Sequence, residues 1–390
     1  MLDAEALGLQ NLERVLAAFS RVRLATNDLI GVDGYGYVDP GRDKLESVYA
    51  ELLGTERALV RPQLVSGTHA LAVMIRGVVE PGQHVVLGGP VYDTLRPLLS
   101  PESRHPLGLA AAGVRLTSVP LAAEDLDERA WERALNDDPD FVYLQRSRGY
   151  QRRPSWGREA ISRRVADAHR AGALVLVDNC YGEFTDVSEP GHWGADLLAG
   201  SLLKNPGGGL APGGGYIAGR ERLVERAAQH LYAPGLGAGI GPSGSALRWF
   251  WQGLYYAPHA VSEALIGCML AAHRFQDAGL VVDPTPEAWP RYDIVQAVEL
   301  QSPDRLLAAI EAVQTVSPLD SYVKPEPGPM PGYDVPVTMA ASGFVPGGSL
   351  ELSADAPMQP PWTLYLQGGV MRQHMMLAAE RILARLSRED

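Results

Sequence analysis

Apolar and polar positions along the chain change period several times, and each change predicts an element. MLDAEALGLQNLERVLAAF sets acids among regularly spaced Leu, Ala and Val, which predicts an amphipathic helix over about residues 4 to 20. GVDGYGYVDPGRD, with its glycines, proline and aspartates, reads as an ordered loop, and KLESVYAELLG as a helix. Between about 57 and 220 apolar runs alternate with helical stretches. RALVRP, HVVLGG, VRLTSVPL, FVYLQ, ALVLVDNC and GGYIAG are the strand candidates; GTHALAVMIRGVV, EDLDERAWERAL and GREAISRRVADAHRAG have helical periodicity. Such alternation predicts a mostly parallel sheet covered on both faces, with ligands bound at the carboxyl ends of its strands. Beyond the loop-rich LYAPGLGAGIGPSG comes one long helical stretch, ALRWFWQGLYYAPHAVSEALIGCMLAAHRF, then shorter α+β segments. PTPEAWPRY and KPEPGPMPGYDVP are too rich in proline for regular elements.

The length of 390 residues favours two lobes. The pattern divides them into an N-terminal helix and loop (1–55), a large α/β domain (56–245) and a smaller C-terminal α+β domain (246–390). Apolar residues at 46% and charged residues at 21% belong to a globular chain. A net charge of -12 without basic runs argues against nucleic acid or an anionic membrane as partner and for a small molecule. No apolar stretch approaches eighteen residues, and the acidic start is unlike a secretory signal. Two cysteines, Cys180 and Cys268, make no disulfide framework or cysteine zinc cluster, and the nine histidines show no metal-ligand spacing. A cytoplasmic, metal-free protein is expected.

Three segments at predicted strand ends carry candidate chemistry. Ser66, Gly67 and Thr68 follow a strand and open a helix, where backbone N–H groups and hydroxyls converge on an anion, although the same triplet is also a common N-cap. Asp178 ends the apolar run ALVLVD, where a carboxylate needs a cationic partner. The protonated ring nitrogen of pyridoxal phosphate (PLP) is one such partner; a helix cap or a metal ligand are the alternatives. Lys204, in SLLKNPGGG, sits among small and apolar residues. Desolvation there is expected to lower its pKa and free the amine for Schiff-base chemistry, against the alternative of a surface lysine before a turn. Cys180 reads as a packing thiol, His69 as a packing or capping residue, and Trp249, Phe250, Trp251, Tyr255 and Tyr256 as core or subunit interface.

Ser66-Gly67-Thr68, Tyr92, Asp178, Ser201 and Lys204 occur in the order and near-spacing of fold type I PLP enzymes of the cystathionine and methionine lyase group. GYGYVDPGRDKLE, RPQLVSGTHA, QRSRGY, VDNCYGEF, SLLKNPGGGLAPGGGYIAGR, GYDVPVTMAASGF, ELSAD and LYLQGG resemble its methionine gamma-lyase-related, aluminium resistance branch, from about residue 8 to 385. The resemblance implies an aspartate aminotransferase-like fold, with Lys204 bound to PLP and acting as acid and base, and Asp178 on the ring nitrogen. It implies Ser66, Gly67, Thr68 and Ser201 on the phosphate, and Tyr92 stacked on the ring. It further implies that the loop with Tyr35, Tyr37 and Arg42 reaches a neighbouring subunit's phosphate, in a homodimer or homotetramer with composite sites.

Three departures stand out. Tyr37 occupies the place of a loop arginine, and Glu351, in ELSAD, that of the arginine that binds the substrate carboxylate in the wider group. GGPVYDTL lacks the lysine usual beside the ring. Arg146 and Arg148, just after a predicted strand, are the candidates for carboxylate capture. The implied activity is a lyase or transferase acting on a sulfur-bearing amino acid with a β- or γ-leaving group. Alternatives are a biosynthetic enzyme using a γ-activated donor such as S-adenosylmethionine, an aminotransferase, or a non-catalytic PLP-binding protein.

Overall fold

A computed structural model describes residues 2–122, 125–151 and 153–387. In chain order the first half holds α1 (Leu2–Arg21), α2 (Pro40–Leu53), β1 (Arg57–Arg61), α3 (Gly67–Val78), β2 (His84–Gly88), α4 (Arg96–Leu99), β3 (Arg115–Val119) and the two-residue strands β4 (Leu121–Ala122) and β5 (Asp125–Leu126). It continues with α5 (Glu128–Leu135), β6 (Phe141–Gln145), α6 (Arg158–Arg170), β7 (Leu174–Asp178), β8 (Leu197–Ser201), β9 (Gly215–Gly219) and α7 (Glu221–Leu231). The second half holds α8 (Ala246–Asp277), β10 (Val281–Asp283), β11 (Val295–Glu299), α9 (Pro303–Gln314), β12 (Val337–Ala340), β13 (Ser353–Pro357), β14 (Thr363–Gln367) and α10 (Arg372–Leu386).

The large sheet runs β1-β9-β8-β7-β6-β2-β3. Strands β8, β7, β6, β2 and β3 pair in parallel, and β9 runs against both of its neighbours. Successive side chains of a strand point to opposite faces, so β7 sends Val175 and Val177 into one apolar layer and Leu176 into the other. The first layer is closed by α2, α6, α8 and α1, the second by α3 and α7. A five-stranded antiparallel sheet, β10-β11-β14-β13-β12, forms the smaller lobe under α9 and α10. The α/β class and the two-sheet organisation agree with the sequence reading.

Two local readings differ. Helix α2 starts at Pro40, inside the segment read as loop, because Asp39 caps it by accepting from the Arg42 N–H (3.1 Å) and proline suits a first helical turn. Strand β8, LLAGS, was not among the strand candidates. Buried on both faces, it shows no alternation, and its small residues give no β signal. No described helix is long and apolar enough to cross a membrane.

Gly200 shows how closely β8 is packed. A Cβ there would stand 2.6 Å from the Tyr216 ring and against the Glu183 carboxylate. Gly200→Ala is therefore expected to cost about 1–3 kcal/mol by overpacking. Because β8 carries Ser201 and leads to Lys204, cofactor affinity should fall along with the melting temperature; a variant that melts and binds like wild type would contradict this packing.

Candidate active site

The carboxyl ends of β6, β7 and β8 and the start of α3 enclose a cavity of about 360 Å³, closed on its far side by small-lobe residues Met330, Tyr333 and Met339. Ser66, Gly67, Thr68, Tyr92, Asp178, Ser201 and Lys204 all line it. They come from four segments, 66–68, 92, 178 and 201–204, and are brought together by the strand order.

At one end Ser66 caps α3, its Oγ accepting from the His69 N–H (3.2 Å). A Cβ on Gly67 would lie 2.9 Å from the Ser201 Cβ and 3.1 Å from the Cys180 Sγ, so only glycine leaves its backbone open here. Free N–H groups at a helix start beside three hydroxyl side chains form a cradle suited to a phosphate. Asp178 lies deeper. Its Oδ1 accepts from the Cys180 N–H (3.0 Å) and its Oδ2 from the Tyr143 hydroxyl (3.4 Å). Burial raises its pKa, against the lowering pull of Lys204 and of these donors.

Lys204 directs its Nζ to 3.8 Å from the centre of the Tyr181 ring and 5.7 Å from that of Tyr92. The expected lowering of its pKa is not what the site produces. Burial does lower it, but the surrounding acids Tyr181, Cys180, Tyr92 and Asp178 outweigh burial and hold the ammonium above its ordinary value. The half-buried lysine is a cation that offsets Asp178. An ammonium, a buried carboxylate and a phosphate cradle in one cavity fit pyridoxal phosphate.

Arg146 and Arg148 do not reach the cavity. Arg146 turns under the sheet, its Nη1 donating to Asn179 Oδ1 and Glu189 Oε2 (both 2.8 Å). Arg148 pairs with Asp283 of β10 (2.7 Å), tying the β6 loop to the small lobe. Both are buried with their charge already answered, so their assignment to substrate carboxylate capture is corrected. Glu351 is likewise committed, accepting from the N–H groups of Phe344 (3.1 Å) and Val345 (2.7 Å).

Tyr35 and Tyr37 stack on each other at 5.3 Å, each 64% exposed, away from this cavity. Arg42 holds their loop by donating to the carbonyls of Gly36 (2.7 Å) and Gly241 (2.9 Å). The Cys180 thiol is buried and its pKa pushed up by burial, in keeping with packing. His69 accepts from the Val65 N–H (3.3 Å), a local cap. Phe250 and Trp251 are core, whereas Trp249, Tyr255 and Tyr256 are exposed.

Sequence reasoning missed Tyr150, Tyr181, Tyr333 and Asp355. The first three line the cavity. Tyr181 also holds a left-handed backbone (φ 67°), a strain common at functional positions. Each lies inside a string that was recognised, QRSRGY, VDNCYGEF, GYDVP or ELSAD, but no periodicity marks it.

This fold and this cavity are those of the PLP-dependent cystathionine lyase/synthase class, for which PLP is the expected cofactor. The methionine gamma-lyase family profile matches residues 2–387, and the chain belongs to that family. It is 39% identical over 376 residues to the Bacillus subtilis protein YnbB, covering 95% of this chain and 89% of the other. A solved structure from Listeria innocua superposes with TM-score 0.94 at 39% identity, over 98% of this chain and 95% of that one. A carbon-sulfur lyase involved in aluminium resistance from Clostridium novyi gives TM-score 0.92 at 38% identity, over 99% and 91%.

Beneath the site Glu183 accepts from the Tyr216 hydroxyl (2.7 Å), which accepts from Asn179 Nδ2 (3.0 Å). Burial pushes the Glu183 carboxyl up to about 8. A raised folded-state pKa favours folding while the group stays protonated, so its contribution is full below the unfolded value and is lost as pH rises through about 8. The melting temperature of Glu183→Gln relative to wild type should therefore climb by a few degrees between pH 5 and pH 9. A difference independent of pH would show that Glu183 is already ionised at pH 5.

Proposed function

We propose that this protein is a PLP-dependent carbon-sulfur lyase acting on an amino acid with a leaving group on its β or γ carbon. The observation that carries the reading is the convergence of Lys204, Asp178 and the Ser66–Thr68 cradle in one buried cavity. Bound there, PLP supplies an electron-poor ring that can accept the electrons of a substrate C–H bond. Ser66, Gly67, Thr68 and Ser201 would hold the phosphate, and Tyr92 would lie against the ring. Asp178, fixed by Cys180 and Tyr143, would keep a proton on the ring nitrogen. Lys204 is the base for the α-proton and the acid for the departing sulfur, while Tyr181 confines its amine. The small-lobe wall keeps water from the reacting carbons.

Reduction with borohydride should fix the cofactor to Lys204, and not to Lys44 or Lys324, with thiol and ketoacid released from a thioether amino acid. Lys204→Ala should lose about a thousand-fold or more in rate. Label on another lysine, or an undiminished variant, would overturn the assignment.

The exposed Tyr35–Tyr37 pair and the Arg42 staple support a second proposal, that this loop docks on another copy of the chain and completes its site. Sedimentation should show a dimer or tetramer, with Tyr37→Ala weakening cofactor binding. A fully active monomer would refute it. The two buried free thiols suit a reducing cytoplasm.

A further inference from the structure

The substrate half of the cavity has an unusual charge balance. Among the described lining residues Lys204 is the one cation, and no guanidinium joins it. Tyr150, Tyr181 and Tyr333 line the cavity together with Met330 and Met339. Behind Tyr150 stands a carboxylate that the lyase chemistry does not use. Asp355 of β13 is 1% exposed; its Oδ2 accepts from the Tyr150 hydroxyl (2.6 Å) and from Gln367 Nε2 (2.9 Å), and its Oδ1 has no partner. Burial lifts its pKa to about 6, so the group is mainly anionic at neutral pH.

The tyrosine hydrogen is committed to Asp355, and Gln367 Nε2 also donates to the phenol oxygen (3.3 Å). Toward the cavity Tyr150 can therefore present only electron density, strengthened by the carboxylate behind it. Aromatic faces and a buried negative charge together are the features that receive a cation. A neutral thioether side chain would gain little from Asp355.

Resting on the lyase reading, we propose that Tyr150, oriented by Asp355 and Gln367, determines specificity by selecting sulfur amino acids whose sulfur is a sulfonium. Asp355 is then a positioning residue and Tyr150 the residue that touches substrate.

The holoenzyme is titrated with methionine and S-methylmethionine, which differ by one methyl group and one charge. Dissociation constants are read from stopped-flow absorbance before turnover. S-methylmethionine should bind ten-fold or more tighter than methionine. Asp355→Asn, with unchanged cofactor absorbance and melting temperature, should reduce that ratio to below about three-fold, and so should Tyr150→Phe. Equal binding of the two ligands, or a ratio that survives in both folded variants, overturns the proposal while leaving the lyase reading intact. A protein that stays colourless with added PLP defeats both.

Discussion

An ammonium set among aromatic rings and a buried carboxylate must answer each other, and the rest of the site is organised around that requirement. Moving either ion from water into the interior costs several kcal/mol unless partners are supplied. Here Lys204 leaves the end of β8 and Asp178 ends β7, so parallel neighbours in one sheet deliver opposite charges to one cavity. Secondary donors follow from the same need. The Cys180 N–H and the Tyr143 hydroxyl satisfy Asp178, while tyrosine faces surround Lys204. Glycines appear where backbones must come close: Gly67 against Ser201, and Gly200 against Tyr216.

The two lobes divide the chemistry. The large sheet supplies the groups that would hold and tune a phosphorylated pyridine. The small lobe supplies the wall over the substrate half, through Met330, Tyr333 and the Asp355 carboxylate behind Tyr150. Their junction is polar and specific. Arg148 pairs with Asp283, and Asp293 accepts from the Ser147 hydroxyl (3.0 Å) and the Arg148 N–H (2.9 Å). Arg148, which looked available for a substrate, is thus spent on fixing the loop that presents Tyr150 to the cavity.

Helix and strand periods, turn residues and the candidate cofactor groups were open to reading from the chain because they depend on local spacing: a continuous apolar run with β-branched valines marks β7, the Ser66 cap marks α3, and Asp178 ends its strand. Strand β8, equally buried on both faces, escaped because LLAGS has no β-branched residue and ends in small ones. The Lys204 pKa was misjudged because desolvation can be inferred from apolar neighbours in sequence, whereas the groups that reverse it arrive from two other segments, around 178–181 and at Tyr92.

The sequence by itself determined the α/β architecture, the family resemblance and the residues suited to a PLP site, because these rest on patterns spanning a few residues. Only the tertiary structure decided where side chains turn. Arg146 faces Glu189, 43 residues on, and Tyr150 meets Asp355 across 205 residues. No local period encodes a direction or a pairing over such separations; packing within the large lobe fixes the first, and the packing of one lobe against the other fixes the second.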